Sequence, residues 1–423
     1  MSKYKSVRGM RDLLFNETQQ LNFIIEKARE TAKNYNYGEV ITPLIESNEL
    51  LSAKSGDEIR NRMFTFKDLG NRNVSLRPEF TASIARLASS LLKRNQKPIR
   101  VFSVGSVYRY DEPQRGRYRE FWQSNYELIG SKKPEADAEL ILLTNNFLKN
   151  TGLKNYFFKI GHIGILRGIL NQENTDEKIQ AKVLQLMDKK EYNEAFKLVS
   201  KTSISVFKNL IGIEENNIFD RIEKIKNQLY EYKEAKNAVQ NLYEILKFLT
   251  CCDCPIRTID PVFSRGLEYY TGVIFEVQIP KFDISLGGGG RYDRLIELFG
   301  GTSNPAVGVA HGLDRIKLAL QFQDIKNIDQ NFKKVLVVPV TKDQEIKALE
   351  LSEKLRNKGI FVEFEVMGRR IGKALQYASK KNMNYVIIVG ESELKTGMVV
   401  LKDLANHEQK SVKIEDLIKK IKG

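Results

Sequence analysis

Between residues 16 and 37, Leu21, Ile24, Ile25, Ala28 and Ala32 recur at helical spacing with charged residues between them, which predicts an amphipathic helix. The helix leads into YGEVITPLIE, a strand-like run interrupted by Pro43. Proline cannot donate to a sheet ladder, so Pro43 suits an edge or the start of pairing. From Val74 to Gly130 short apolar runs alternate with polar turns, as an antiparallel sheet requires.

The texture changes near Asn171. Up to Thr250 the chain has no proline, one glycine (Gly212) and many Lys, Glu, Gln and Leu residues, a helical composition. Val183, Leu184, Leu186 and Met187, and later Ile222, Ile225 and Leu229, sit at spacings of three and four. This stretch reads as a helical insertion between two parts of a sheet domain. From Lys333 the runs KVLVVPV, IFVEFEV and NYVIIVG alternate with amphipathic helices, which argues a separate α/β domain. The expected organisation is a sheet domain at 1–170 and 251–324, a helical insertion at 171–250 and an α/β domain at 333–423. The linker is expected near Asp324 to Asn331. No internal repeat of fixed period is visible.

A chain of 423 residues exceeds one ordinary core, in keeping with several domains. Its 68 Lys and Arg against 53 Asp and Glu give a net charge of +15, compatible with a polyanionic partner or with solubility alone. All three cysteines lie in Cys251-Cys252-Asp253-Cys254, too crowded for a tetrahedral zinc site and without a second Cys or His cluster to complete one. They read as reduced, incidental thiols. The N-terminus has no apolar run of signal length and no 18-residue apolar segment occurs, so a cytoplasmic protein with no membrane span is expected.

Four clusters carry candidate chemistry: LRPEFTASIAR (76–86), VYRYDEPQRGRYREFWQSNYELIG (107–130), FSRGLEYYTGVIFEV (263–277) and GGGGRYDRLIELFGGTSNPAVGVAHGLDRI (287–316). In the second, Arg109, Arg115, Arg117 and Arg119 crowd around Pro113 and Gly116, so a loop between two strands presents several guanidiniums. Either they grip phosphate with their planar forks or they form an exposed basic hairpin. On the strand leaving that loop, Phe121, Gln123 and Glu127 share a face by period two, and Glu79 is another acid among apolar neighbours. These groups could bind an ammonium and a polar ring, or the acids could pair with nearby arginines. The run Gly287-Gly288-Gly289-Gly290 is neither a P-loop nor a dinucleotide turn, and instead allows close backbone approach. His162, His311 and His407 have no activating context, so no covalent nucleophile is expected.

Together the four clusters resemble the signature motifs of class II aminoacyl-tRNA synthetases, and specifically the histidyl-tRNA synthetase family. The strand at Pro43 is similar to motif 1, Tyr108-Arg109 through Glu120-Phe121 to motif 2, and Pro305 with Gly312-Leu313-Asp314-Arg315 to motif 3. Ser264 to Tyr270 and Gly287 to Asp293 resemble the histidine-specific pair.

The resemblance implies an α+β catalytic domain built on an antiparallel sheet with a helical insertion, plus a C-terminal α/β anticodon-binding domain. It implies a homodimer that joins L-histidine to tRNA(His) using ATP and Mg2+. By the same resemblance Arg109 and Arg265 are catalytic, serving both the histidine carboxylate and the ATP α-phosphate. Glu79, Thr81 and Gln123 hold the amino end of histidine, and Glu127, Tyr269 and Tyr270 form its imidazole pocket. Phe121 stacks on adenine, Arg117 and Arg315 hold ATP phosphates, and Gln114 and Arg115 approach the tRNA acceptor end. Two departures stand out: Glu112 where many relatives carry a basic residue, and Phe80 where a small residue is common. The rival readings are a non-catalytic regulatory relative and another class II enzyme, both of which fit the complete set of arginines and SRGLEYY less well.

Overall fold

The computed structural model describes residues 4–53, 59–265, 269–325 and 333–422. Most of the expected linker, and Gly266, Leu267 and Glu268 of the SRGLEYY stretch, lie outside the described residues. The chain divides into two compact units, Met1–Ile328 and Asp329–Gly423.

In chain order the first unit contains β1 (Gly38–Glu39), β2 (Ile45–Ser47), β3 (Thr65–Lys67), β4 (Asn73–Leu76), β5 (Ile99–Tyr108), β6 (Glu120–Ile129), β7 (Phe157–His162), β8 (Ile256–Ile259), β9 (Val273–Ile279), β10 (Phe282–Arg291) and β11 (Ala306–Gly312). Among the described residues eight of these form one sheet in the order β1-β5-β6-β11-β10-β9-β7-β8, and β2-β4-β3 form a small second sheet. Pairing in the large sheet is antiparallel except for β1 with β5 and β7 with β8.

The helix Asn16–Asn34 buries Leu21, Ile24, Ile25, Ala28 and Ala32 against this sheet, on the stripe that periodicity predicts. Along β6 the even positions Ser124, Tyr126 and Leu128 face the helical layer, and the Tyr126 hydroxyl donates to the Ala28 carbonyl at 2.8 Å. The odd positions are left for the opposite face, where the cavity described below lies. The helical stretch after Asn171 comprises Glu177–Asp188, Tyr192–Phe196, Lys201–Ile211, Ile218–Gln228 and Lys233–Thr250.

Two sequence expectations change. The apolar runs between Val74 and Gly130 are not all strands: Thr81–Ser89 is a helix burying Ala82, Ile84, Ala85 and Ala88. Its helical period is hard to see because the buried stripe is mostly alanine, and the Glu79 carboxylate starts the turn by accepting from the Thr81 and Ala82 N–H groups. Pro43 falls inside no strand. It separates β1, which joins the large sheet, from β2, which pairs with β4 in the small one.

The second unit contains β12 (Lys334–Pro339), β13 (Phe361–Phe364), β14 (Tyr385–Val389), β15 (Met398–Asp403) and β16 (Glu408–Lys413), ordered β13-β12-β14-β15-β16. The first three are parallel and linked through helices, as the alternating pattern predicts. The last two add an antiparallel ribbon that alternation alone does not suggest.

Candidate active site

A cavity of about 270 Å3 opens on the face of the large sheet opposite the helix Asn16–Asn34, a face that also carries the helix Thr81–Ser89. Its floor is set by register. Asn125 of β6 lies opposite Ala310 of β11, Ala310 opposite Gly288 of β10, and Gly288 opposite Glu276 of β9. The row therefore has a polar residue at each end and almost no side chain between. Three strand spacings separate the ends by roughly 14 Å. The parallel row below runs Glu127, Gly308, Gly290 and Ile274. A Cβ at Gly308 would stand 1.6 Å from the Glu127 carboxylate, so that position must lack a side chain.

Toward β6, Glu79, Thr81, Gln123 and Asn125 line the cavity. Glu79 is committed to the helix start, and the Gln123 amide oxygen is buried with no hydrogen-bond partner among the described residues. Glu127 lies one layer behind this wall. Its carboxylate accepts from Thr81 Oγ1 at 2.8 Å, from Asn125 Nδ2 at 2.7 Å and from the Tyr292 hydroxyl. Burial raises its pKa to about 7, the three donors oppose that rise, and the nearby Glu79 charge adds to it. Tyr269, Tyr270 and Tyr292 pack as a cluster, with ring centroids 4.9 Å apart for the first pair and 5.6 Å for Tyr269 and Tyr292. All three line the cavity.

Arg109, Arg265 and Arg315 also line the cavity. Arg109 donates from Nε to the Pro78 carbonyl at 2.9 Å and stands 5.4 Å above the Phe121 ring. Arg315 donates to the carbonyls of Gly116 and Ser285. Burial, then repulsion from Arg109, Arg117 and Arg265, lowers its pKa to about 10. The arginines converge on the cavity, a place where an anion would bind. Arg265 bonds to Glu276 at 2.9 Å.

The sequence-derived residues thus converge unevenly. Glu79, Thr81, Arg109, Phe121, Gln123, Arg265, Tyr269, Tyr270 and Arg315 line one cavity, whereas Glu127 supports it from behind. Gln114, Arg115 and Arg117 sit exposed on the turn above, where Gln114 and Arg117 pair through their backbones. Arg119 does not join that display: it is buried against the Tyr110 ring and donates to the Asp111 carbonyl. Among the described residues neither Glu79 nor Glu127 is matched by an arginine; both are held by N–H and hydroxyl donors.

Asn125, Glu276 and Tyr292 also build the site although residue patterns do not single them out. Period two from Gln123 would have flagged Asn125, and Tyr292 directly follows Arg291 at the end of the glycine strand. Phe80 faces away from the cavity, buried in the core with the Arg77 guanidinium 4.3 Å over its ring. Glu112 pairs with Arg8 at 2.8 Å on the surface. His311 is fully buried between Ser124 and Thr144, with burial pushing its pKa down to about 3. His162 accepts from the Gly164 N–H and is pushed down to about 4, also by burial.

An antiparallel sheet whose cavity is lined by the motif 2 and motif 3 arginines together with acids defines a class II aminoacyl-tRNA synthetase. The histidyl-tRNA synthetase family profile matches residues 9–316, and an anticodon binding domain profile matches 334–423. The chain is 40% identical over 418 residues to the histidine–tRNA ligase of Methanocaldococcus jannaschii, covering 98% of each. Among solved structures, it matches apo histidyl-tRNA synthetase of S. aureus with a TM-score of 0.73 at 25% identity, covering 99% of each chain. It also matches a Bacillus halodurans protein described as an ATP phosphoribosyltransferase regulatory subunit/histidyl-tRNA synthetase, with a TM-score of 0.78 at 26% identity over 92% of this chain and 99% of that one. The chain belongs to the histidyl-tRNA synthetase family.

Proposed function

We propose that this cavity binds L-histidine beside Glu79 and Gln123 and ATP beside Phe121 and Arg315. The chain acts as a histidine–tRNA ligase, forming histidyl-adenylate and transferring histidine to the 3′ end of tRNA(His). The observation that carries the site assignment is the convergence of Arg109, Arg265 and Arg315 on one cavity that also offers an unpartnered amide oxygen on Gln123.

In this reading Glu79, Thr81 and Gln123 receive the α-ammonium. Glu127 and the tyrosines read the imidazole, with Glu127 acting through Thr81, Asn125 and Tyr292 as well as by its charge. Phe121 stacks on adenine after Arg109 leaves its face, and Arg117 and Arg315 hold the outer phosphates. The histidine carboxylate oxygen attacks the α-phosphorus, the bond from that phosphorus to the α,β-bridging oxygen breaks, and pyrophosphate leaves. Arg109 and Arg265 stabilise the charge that grows on the α-phosphate oxygens. A ribose hydroxyl of tRNA then attacks the histidyl carbonyl, and AMP departs. Mg2+, which keeps several waters and binds chiefly through substrate phosphates, would enter with the phosphates of ATP.

Gln114 and Arg115, exposed above the cavity, suit contact with the acceptor stem. The residues 171–250 would form the insertion within a catalytic domain of 1–170 and 251–324, and 333–423 would bind the anticodon end. A homodimer is supported by exposed apolar side chains around Pro43: Ile41, Leu44 and Ile45, with Phe66 and Leu69 on and after β3. Among the described residues no helix is long and apolar enough to cross a membrane, which is compatible with a cytoplasmic enzyme. Purified protein should exchange pyrophosphate into ATP only when L-histidine is present. Faster exchange with any other amino acid would sink the assignment.

A further inference from the structure

Arg265 lines the cavity together with Arg109 and Arg315, and a long side chain so placed would swing toward water unless held. Its Nη1 is held twice. It donates to the Phe275 carbonyl at 3.1 Å and to Glu276 Oε1 at 2.9 Å. Its Nε and Nη2 make no hydrogen bond among the described residues, which leaves one edge of the guanidinium fork for an incoming anion, although the Asp188 carboxylate in the same cavity also attracts the guanidinium.

The socket is built from the sheet. Glu276 lies opposite Gly288 in the β9–β10 register, and a Cβ on Gly288 would stand 2.0 Å from Arg265 Nη1. The guanidinium therefore occupies the space that this glycine leaves open. Glu276 is itself fixed. Gln278 Nε2 donates to its Oε2 at 3.3 Å. Lys159, opposite Glu276 on β7, is bonded to Asp260 at 2.6 Å and does not compete for the carboxylate. An acid lining a cavity for two anions opposes their binding in the ground state, so its presence calls for a compensating role.

We propose that Glu276 is a positioning residue for adenylate formation: it locks one nitrogen of Arg265 over Gly288 so that the free edge meets the carboxylate and α-phosphate together. This rests on the role given to Arg265 above. Misplacing a positioning group lowers the rate more than it weakens binding.

The test is a double-mutant cycle in histidine-dependent pyrophosphate exchange with the full chain. Glu276→Ala should lower kcat roughly 100-fold, with KM for histidine and ATP within about threefold. Glu276→Gln, which keeps an acceptor for Nη1, should recover about tenfold of that loss. In an Arg265→Ala background neither substitution should reduce kcat further. Additive losses in that background, or Glu276→Ala at wild-type kcat, would overturn the proposal. Should the alanine variant fail to fold, Glu276→Gln carries the same cycle, and its loss must likewise vanish without Arg265. If Arg265→Ala alone runs at the wild-type rate, the role given to Arg265 has failed rather than that of Glu276.

Discussion

Replacing Glu127 by glutamine should remove a pH dependence of stability that the fold imposes on this site. The Glu127 carboxyl is fully buried, and burial lifts its pKa from an ordinary 4.5 to about 7 against the pull of Tyr292, Thr81 and Asn125. Below pH 4.5 the group is protonated in both folded and unfolded chains and costs nothing. Between 4.5 and 7 the folded chain holds a proton that the unfolded chain has released, so stability falls as pH rises, and above 7 the loss levels off. At about 1.36 kcal/mol per pH unit, the full interval corresponds to roughly 3 kcal/mol. The glutamine side chain cannot ionise, and its amide oxygen can still accept from Thr81 or Asn125. Urea unfolding of both proteins from about pH 5 to about 8.5 should show the variant gaining on the wild type up to about pH 7 and then running parallel to it. Titration of other groups enters both proteins alike and cancels. A difference that stays flat across the range would mean that Glu127 ionises normally, and the buried-carboxyl account would be wrong. Saturating L-histidine should shrink the slope, because an imidazole N–H donated to the site favours the carboxylate.

Two further outcomes test how the site is framed. Phe80→Ala should cost about 3–5 kcal/mol in unfolding free energy while leaving the KM for histidine within about twofold, because the ring packs into the core with Ile84 and Val107 rather than facing the cavity. A large change in histidine KM without loss of stability would reverse that reading. Deleting the chain from Lys333 should spare histidine-dependent pyrophosphate exchange and weaken tRNA charging, since that segment forms a separate compact unit. Equal loss of both activities would show that the two units do not work separately.

Much of the site was legible because its chemistry is local in the chain. The arginines and aromatics of motif 2 lie within one hairpin, and period two along β6 puts Phe121 and Gln123 on the same face without knowledge of any partner strand. The Glu79 turn hid a helix because alanine carries a weak hydrophobic signal, and the side on which Phe80 falls depends on that helix.

The family, the helical character of the stretch from residue 171 to 250 and most of the charged groups that meet in the cavity can be read along the chain, since motifs and periodicity are properties of sequence neighbours. Folding in three dimensions was needed to put Glu127 behind the wall, to close Tyr292 on it and to clamp Arg265 with Glu276. Those contacts depend on strand order and register. β6 pairs with β11 from Gln123 to Ile129, and a slip of one residue would turn every side chain in the row to the opposite face. No window along the chain contains that register; it exists only once the strands have paired in this order.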